Sequence, residues 1–447
     1  MTQSASSSIV SKRESVSSAE LFQSWADCRQ AYHRWHFDQI NDWCDNDAPT
    51  LMNVYYSHLE RSYYLIFKQL RNNFTNFQVW VDDANVEWRC NGKTTTTPAT
   101  IVSKVTKIET EQGDWQMILK CGPYPDRNNP LMRIVPVVHD ESMLKRHGLA
   151  QPIYNVEPFL KCNNLLTDHP HQSSRSRSAN MKLPRIAACT SIRGTDSRQA
   201  VPDWVSYHSM LGVSHFFLYI NEPMTTIQDF VTLPNVTYVP YDYLPRYFAN
   251  HSRGDYYVKF KNYFQRAQMN DCLYLSKVLG LDWILMTDVD EYVFLPDTQP
   301  PTDNNHPSPL QKLLSSIERE KYASVQFTSV GFGKGPRDTF KRKDHVLEYI
   351  YHYAPTPNRT TTVVPQDRWK HLLQPDKVWD IHVHFLRKTT NNMESYIPED
   401  GSRLNHYKTP WLGPFNEDHK YKYLQTDSRL RDAYLRAVSS KTPSLTR

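Results

Sequence analysis

The stretch best equipped for chemistry is WILMTDVDEYVFL, residues 283–295, where Asp288, Asp290 and Glu291 follow directly on a short apolar run. Carboxylates crowded on one side of a chain repel one another unless a proton or a cation sits between them. The apolar run reads as a strand that ends in Asp288-Val289-Asp290-Glu291, and its period of two points Asp288 and Asp290 the same way and turns Val289 into the fold. Paired hard oxygen ligands, with positions left for phosphate oxygens, suit Mg²⁺ or Mn²⁺. Such an ion neutralises a departing diphosphate, the step that glycosyl transfer from a nucleotide sugar has to assist. A bare D-x-D is common among solvated surface acids; its place after a buried apolar run gives this one its weight.

Rival chemistries lack their motifs. Glu and Tyr follow the D-x-D where an aspartyl-phosphate phosphatase wants a DxDGT-like continuation. GxxxxGK[ST], GxGxxG and GxSxG do not occur, and GFGKG (331–335) reads as a tight loop. The seven cysteines (28, 44, 90, 121, 162, 189 and 272) include no CxxC pair, which argues against a zinc site and leaves one or two disulfides open. In 447 residues, 52 Lys and Arg oppose 47 Asp and Glu, a net +5 too mild to argue for nucleic acid or an anionic membrane. An aromatic share of 13% is compatible with sugar stacking and equally with ordinary packing. Composition excludes collagen, coiled-coil, disulfide-scaffold and fully disordered classes. No apolar run approaches the roughly 18 residues of a membrane span, and the opening MTQSASSSIVSKRESVSS lacks the apolar block of a signal peptide. Sequons at Asn73, Asn235, Asn250 and Asn358 do not settle the compartment.

The elements that must position the acids fall into two parts. Residues 1–16 read as a disordered tail, and Ser17 with Glu20 as a capping box. Behind it, Leu21, Trp25, Cys28, Tyr32 and Trp35 form one apolar helix face. From about Phe77 to Val138 the segments FQVWVDD, NVEWRC, TIVSKVTKIE and DWQMILKC are strand-like, so 17–165 is expected to be a helix plus a β-rich accessory domain. A polar linker spans 166–182. Beyond it, 183–447 has the rhythm of an α/β domain: strand 186–192, helix 203–213 with Trp204, Tyr207, His208 and Leu211 on one side, then strands 215–221 and 235–241. A further helix places Phe264, Gln268, Cys272, Leu275 and Leu279 on one face and stops at Gly280. A mainly parallel sheet of this kind binds ligands at the carboxyl ends of its strands.

Five segments in order, CTSIRGTDSRQAVPDWVSYHSMLGVSHFFLYIN, QRAQMNDCLYLS, WILMTDVDEYVFL, KHLLQPDKVWDIHVHF and LNHYK, resemble glycosyltransferase family 92, over roughly residues 186–423. That family includes animal β-galactosyltransferases and plant galactan synthases. The resemblance implies a GT-A fold with a mixed sheet, a UDP-sugar donor (most often UDP-galactose), a glycan or glycoprotein acceptor, inversion at the anomeric carbon, and Mn²⁺ or Mg²⁺. Carried onto this chain, it makes Asp288 and Asp290 metal ligands, with Asp288 also at the donor and Glu291 completing the acidic motif among the catalytic groups. His406 closes the metal shell, with His382 and His384, on one face of the strand-like DIHVH, as rivals. Lys370 meets the diphosphate as a point charge. Thr190, Ser191 and Arg193 lie where uridine is expected, and Asn221 closes the second strand. The chain departs from the family pattern at Asp203 and Ser206, which puts the role of that helix in question, and in the loop GFGKGPRD.

An inverting transfer needs a carboxylate to take the acceptor's proton. Glu348, Asp338, Asp367, Glu417 and Asp418 all follow the D-x-D, and Glu348 is favoured. The resemblance points to the Golgi and secretory pathway, while a sequence without apolar leader or span is also what a cytosolic chain shows. Two other readings stand beside the enzyme: a catalytically silent glycan-binding or scaffold protein on the same fold, and a metal-dependent phosphohydrolase or nuclease, which lacks its additional carboxylate motif.

Overall fold

The structure, a computed structural model, describes residues 22–28, 50–57, 62–68, 86–92, 95–104, 116–123, 131–139, 142, 154–167, 184–192, 194–221, 233–241, 254–296, 307–333, 352–353, 369–407 and 425–441. The Ser17 capping box, the segment FQVWVDD and residues 168–182 of the expected linker lie outside them, while its first two residues, Leu166 and Thr167, end a helix. No helix among the described residues is long and apolar enough to cross a membrane.

The N-terminal part begins with helix α1 (22–28), whose Trp25 and Ala26 are fully buried. Seven antiparallel strands follow: β1 (Thr50–Ser57), β2 (Ser62–Lys68), β3 (Val86–Gly92), β4 (Thr96–Lys104), β5 (Gln116–Cys121), β6 (Leu131–Val138) and β7 (Tyr154–Asn155). They lie side by side in the order β1-β2-β5-β4-β3-β6-β7. In β3 the alternation is clean: Val86, Trp88 and Cys90 are buried, while Glu87 and Arg89 pair on the outer side. Strands β1 and β2 are apolar toward both faces. Val54, Leu65 and Phe67 pack with Val156 and Phe159 beside helix α2 (Glu157–Thr167). Met52, Tyr55, Tyr64 and Ile66 pack the other way, against the following part of the chain.

That part is built on a second seven-stranded sheet. Four of its strands, β8 (Ile186–Ile192), β9 (His215–Ile220), β10 (Val236–Pro240) and β11 (Trp283–Met286), run parallel in the order β10-β9-β8-β11. Strand β16 (Lys370–Leu373) lies antiparallel between β11 and β13 (Tyr322–Phe327), and β19 (Glu394–Tyr396) closes the edge parallel to β13. The sheet is therefore mixed: parallel from β10 to β11, antiparallel on both sides of β16, and parallel again between β13 and β19. A second sheet of five strands, β12 (Glu291–Phe294), β20 (Arg403–Tyr407), β14 (Ser329–Gly333), β15 (His352–Tyr353) and β21 (Gln425–Thr426), stands in that order. Residues 331–333, expected as a tight loop, continue β14 as strand, because Gly331 and Phe332 pair with His406 and Tyr407 of β20. The hairpin β17 (Val378–Ile381) and β18 (Leu386–Thr389) completes the set.

Both faces of the parallel strands are covered, as buried parallel sheets require. Helix α3 (Gly194–Leu211) packs Trp204, Tyr207 and Leu211 on Ile186, Ala188, Phe216 and Leu285. Helix α4 (Gly254–Val278) packs Met269, Cys272 and Leu275 on Ala187, Cys189, Phe217 and Ile284 on the opposite face. Both helices stop at a glycine with positive φ. After α4 the N–H of Gly280 (φ 61°) bonds the Lys277 carbonyl and that of Leu281 bonds Ser276, a 5→2 and 6→1 pair that satisfies the last carbonyls. Gly212 (φ 106°) repeats the pattern after α3.

Among the described residues three disulfides form, more than the one or two left open by the sequence: Cys28–Cys162 ties α1 to α2, Cys90–Cys121 joins β3 to β5, and Cys189–Cys272 joins β8 to α4. Their Cα separations of 5.5, 5.8 and 6.6 Å suit such bonds.

Candidate active site

Winding begins at β8 and proceeds outward through β9 and β10, then returns to place β11 on the other side of β8. The chain thus reverses its sense between β8 and β11. In open α/β sheets the crevice outside the carboxyl ends at such a switch point is where ligands sit. A small cleft opens there, lined by Thr190 and Ser191 at the end of β8, Thr287 and Asp288 after β11, Gln265 and Gln268 of α4, and Lys370.

The acidic motif differs in detail from the strand expected. Strand β11 ends at Met286, and Asp288 to Glu291 form a turn closed by the Glu291 N–H on the Asp288 carbonyl at 3.0 Å, after which β12 begins. Four residues suffice to bury WILM, and the turn takes the chain into the second sheet. The two aspartates consequently have separate partners. Asp288 Oδ2 receives the Lys370 ammonium at 2.8 Å and its Oδ1 the amide of Gln265. Asp290 Oδ2 lies 3.3 Å from His406 Nε2. Val289 is buried, as expected.

Glu291 stands between these pairs. Its Oε2 accepts the Asp288 backbone N–H at 2.8 Å and lies 3.4 Å from Lys370 Nζ, while Oε1 is 3.8 Å from His406 Nδ1. Burial, reinforced by the charges of Asp288 and Asp290, pushes the Glu291 carboxyl up to about 7 against the pull of Lys370. For Asp288, burial alone would act upward, but Lys370 holds it below the usual carboxylate range. Burial would likewise lower Lys370, yet Asp288 and Glu291 carry it above its ordinary value. His406 follows the same logic: burial pulls it down and Asp290, with Glu291 and Asp288, lifts it above the usual imidazole value.

Helix α3 holds this turn from behind. Trp204 Nε1 donates to the Glu291 carbonyl at 3.1 Å, Tyr207 Oη to the Val293 carbonyl at 2.7 Å, and His208 Nε2 accepts from the Val293 N–H. The role of that helix, questionable by family pattern, is thus physical: it fixes the backbone from which the acids project. Strand β20 holds the other side, with Glu291 opposite His406 in antiparallel register and the Tyr407 N–H on the Asp290 carbonyl at 2.8 Å.

Of the expected donor residues, Ser191 and Asn221 meet in a closed polar ring with Gln268. Asn221 Nδ2 donates to Ser191 Oγ (2.9 Å), Ser191 Oγ to Gln268 Oε1 (2.7 Å), and Gln268 Nε2 to Asn221 Oδ1 (2.5 Å). The buried hydroxyls of Thr190 and Thr287, both in the cleft wall, have no hydrogen-bond partner among the described residues. Lys370 lies in the same wall with 1% of its surface exposed. His382 and His384 do not share a strand face. They sit in the turn after β17, closed by the His382 N–H on the Phe385 carbonyl, with their rings 6.3 Å apart. His384 stays within electrostatic reach of Lys370 and Asp288, and burial holds its imidazole down at about 4. Arg193, Glu348, Asp338, Asp367, Glu417 and Asp418 lie outside the described residues. Sequence reasoning missed Gln265, Gln268 and Thr287 as site residues; the available signal was a lone glutamine on an otherwise apolar helix face.

Among the described residues, no group of three or more His, Cys, Asp and Glu side chains is placed to hold a metal ion. Asp290 and His406 make a set of two. Their 3.3 Å separation is near the about 3 Å between neighbouring ligands of an octahedral ion with bonds of about 2.1 Å. Ions of the Mg²⁺ type commonly take one or two protein ligands and fill the remainder with water and substrate phosphate oxygens, so this donor chemistry suits one. Asp288, occupied by Lys370 and Gln265, stands apart from that pair.

The family model for glycosyltransferase family 92 matches residues 185–441, more than half of the chain. The chain belongs to glycosyltransferase family 92 and is a glycosyltransferase by that membership. It matches none of the curated proteins.

Proposed function

We propose that this chain is a metal-dependent, inverting glycosyltransferase of the GT-A type that moves galactose from UDP-galactose to a glycan or glycoprotein acceptor. The observation that carries the reading is the cleft at the switch point, where the ends of β8 and β11 bring Thr190, Ser191, Thr287 and Asp288 around one opening with Lys370.

Asp290 and His406 would hold Mn²⁺ or Mg²⁺, which when bound neutralises charge on the departing diphosphate. The ring of Ser191, Asn221 and Gln268 presents a fixed polar wall suited to a nucleoside edge, since each amide keeps one donor and one acceptor position beyond those used within the ring. The hydroxyls of Thr190 and Thr287 supply further donors. Lys370 keeps a fixed positive charge at the wall while holding Asp288 in place. Glu348 takes the acceptor's proton in this account. Three disulfides support maturation in an oxidising compartment such as the secretory pathway.

The test is turnover by the full chain with a panel of UDP-sugars and glycan acceptors, in Mn²⁺ and in chelator. The expected result is Mn²⁺-dependent transfer from UDP-galactose that Asp290→Ala abolishes without lowering its melting temperature. Metal-independent glycan binding with no turnover of any donor would replace this reading with the silent glycan-binding one, and release of phosphate without sugar transfer would indicate hydrolase chemistry.

A further inference from the structure

The position of Glu291 differs from that of a group that meets substrate. Its side chain is 2% exposed, and among the described residues it forms no part of the cleft wall. Its backbone is fixed on both sides, by Trp204 at its carbonyl and by the turn at its N–H. One carboxylate oxygen is committed to the Asp288 N–H at 2.8 Å. The other faces Nδ1 of His406, the cross-strand neighbour, whose Nε2 faces Asp290. The imidazole of His406 therefore stands between two carboxylates, with one nitrogen toward each. A histidine that ligates a metal through one nitrogen ordinarily donates its other N–H to a carboxylate, which sets its tautomer and ring angle. The 3.8 Å gap exceeds a hydrogen bond, so in this structure the contact between Glu291 and His406 is electrostatic.

We infer that Glu291 is a positioning residue rather than a catalytic one: it orients His406 through Nδ1, leaving Nε2 for the ion, and aims Asp288 through the backbone N–H. This rests on the metal reading of Asp290 and His406 given above.

The experiment is Mn²⁺ affinity of the full chain, read from the free-ion electron paramagnetic resonance signal, in wild type, Asp290→Ala, Glu291→Gln, His406→Ala and the Glu291→Gln/His406→Ala double variant. Melting curves run alongside. Glu291→Gln is expected to weaken Mn²⁺ binding by about 10–100-fold and to add nothing in the His406→Ala background, because its effect passes through that ring. Wild-type affinity in Glu291→Gln, or an equal loss with and without His406, would overturn the inference while leaving the metal site standing. Unchanged affinity in Asp290→Ala would overturn the metal reading itself. Should Glu291→Gln fail to fold, the ¹⁵N imidazole signals of His406 in the Mg²⁺-loaded wild type decide. A proton on Nδ1 is expected, and a proton on Nε2 would contradict it.

Discussion

The Lys370 ammonium lies 2.8 Å from Asp288 Oδ2 and 3.4 Å from Glu291 Oε2, buried at the first residue of the central antiparallel strand. One cation thus offsets two carboxylates that would otherwise repel across the turn. Removing it leaves charge stranded, and breaking a buried pair of this kind costs about 3–5 kcal/mol. Asp288 keeps 32% of its side chain exposed, which places Lys370→Met at the lower end of that range. Chemical denaturation should show the loss, and Lys370→Arg should recover most of it. A Lys370→Met protein as stable as wild type would mean that the acids neutralise themselves by taking up protons.

The ring of Ser191, Asn221 and Gln268 should behave as a unit. Gln268→Leu removes two of its three bonds, each worth about 1 kcal/mol net. UDP affinity by calorimetry is expected to fall by about tenfold or more, with the same loss whether or not Asn221 is also changed to Ala. Additive losses would show that the amides act separately.

Much of this site was legible in the sequence, and the misses have physical causes. The apolar run before the D-x-D, the glycine stop at Gly280 and the helix face of Trp204, Tyr207, His208 and Leu211 all follow from period and punctuation, and all stand in the structure. Strands β1 and β2 were not read from TLMNVYYS and SYYLIFK, because burial on both faces erases the alternation that marks a half-exposed strand. The acidic turn looked like a strand end because spacing cannot tell whether a chain continues straight or crosses to another sheet. The pairing of Lys370 with Asp288 spans 82 positions, and only the register of β16 on β11 brings the two together.

Gly212 ends α3 at φ 106°, and a Cβ there would fall 1.9 Å from the Ser308 hydroxyl that caps helix α5 (Pro309–Ser315). Gly212→Ala therefore meets both a backbone conformation that side chains avoid and a collision with a cap. A loss above ~1 kcal/mol is expected, visible as a lower melting temperature. The double variant Gly212→Ala/Ser308→Gly should recover the steric share and leave the backbone share in place.

His208 reports on stability in acid. Its Nδ1 lies 2.9 Å from the Trp204 carbonyl and its Nε2 accepts from the Val293 N–H, an arrangement for the neutral ring. Burial pulls its pKa down to about 4 from 6.5. The unfolded chain takes the proton first, so the contribution is complete above pH 6.5 and is lost as pH falls from 6.5 toward 4. The slope is about 1.4 kcal/mol per pH unit for one such group, and His215, also buried and held near 4, adds its own. Urea midpoints between pH 7 and 4.5 should fall with this trend, and less steeply in His208→Gln. Equal slopes in variant and wild type would contradict the assignment.

In the proposed function, Asp290 and the switch-point cleft bind nucleotide and divalent ion together. The most direct measurement is titration of UDP into the full chain by calorimetry, in Mn²⁺ and in chelator, for wild type and for Asp290→Ala. UDP binding is expected to strengthen at least tenfold with Mn²⁺ in wild type and to lose that dependence in Asp290→Ala, with melting temperatures alike. UDP affinity that is the same in all four conditions, or no binding to the wild type in Mn²⁺, would contradict it.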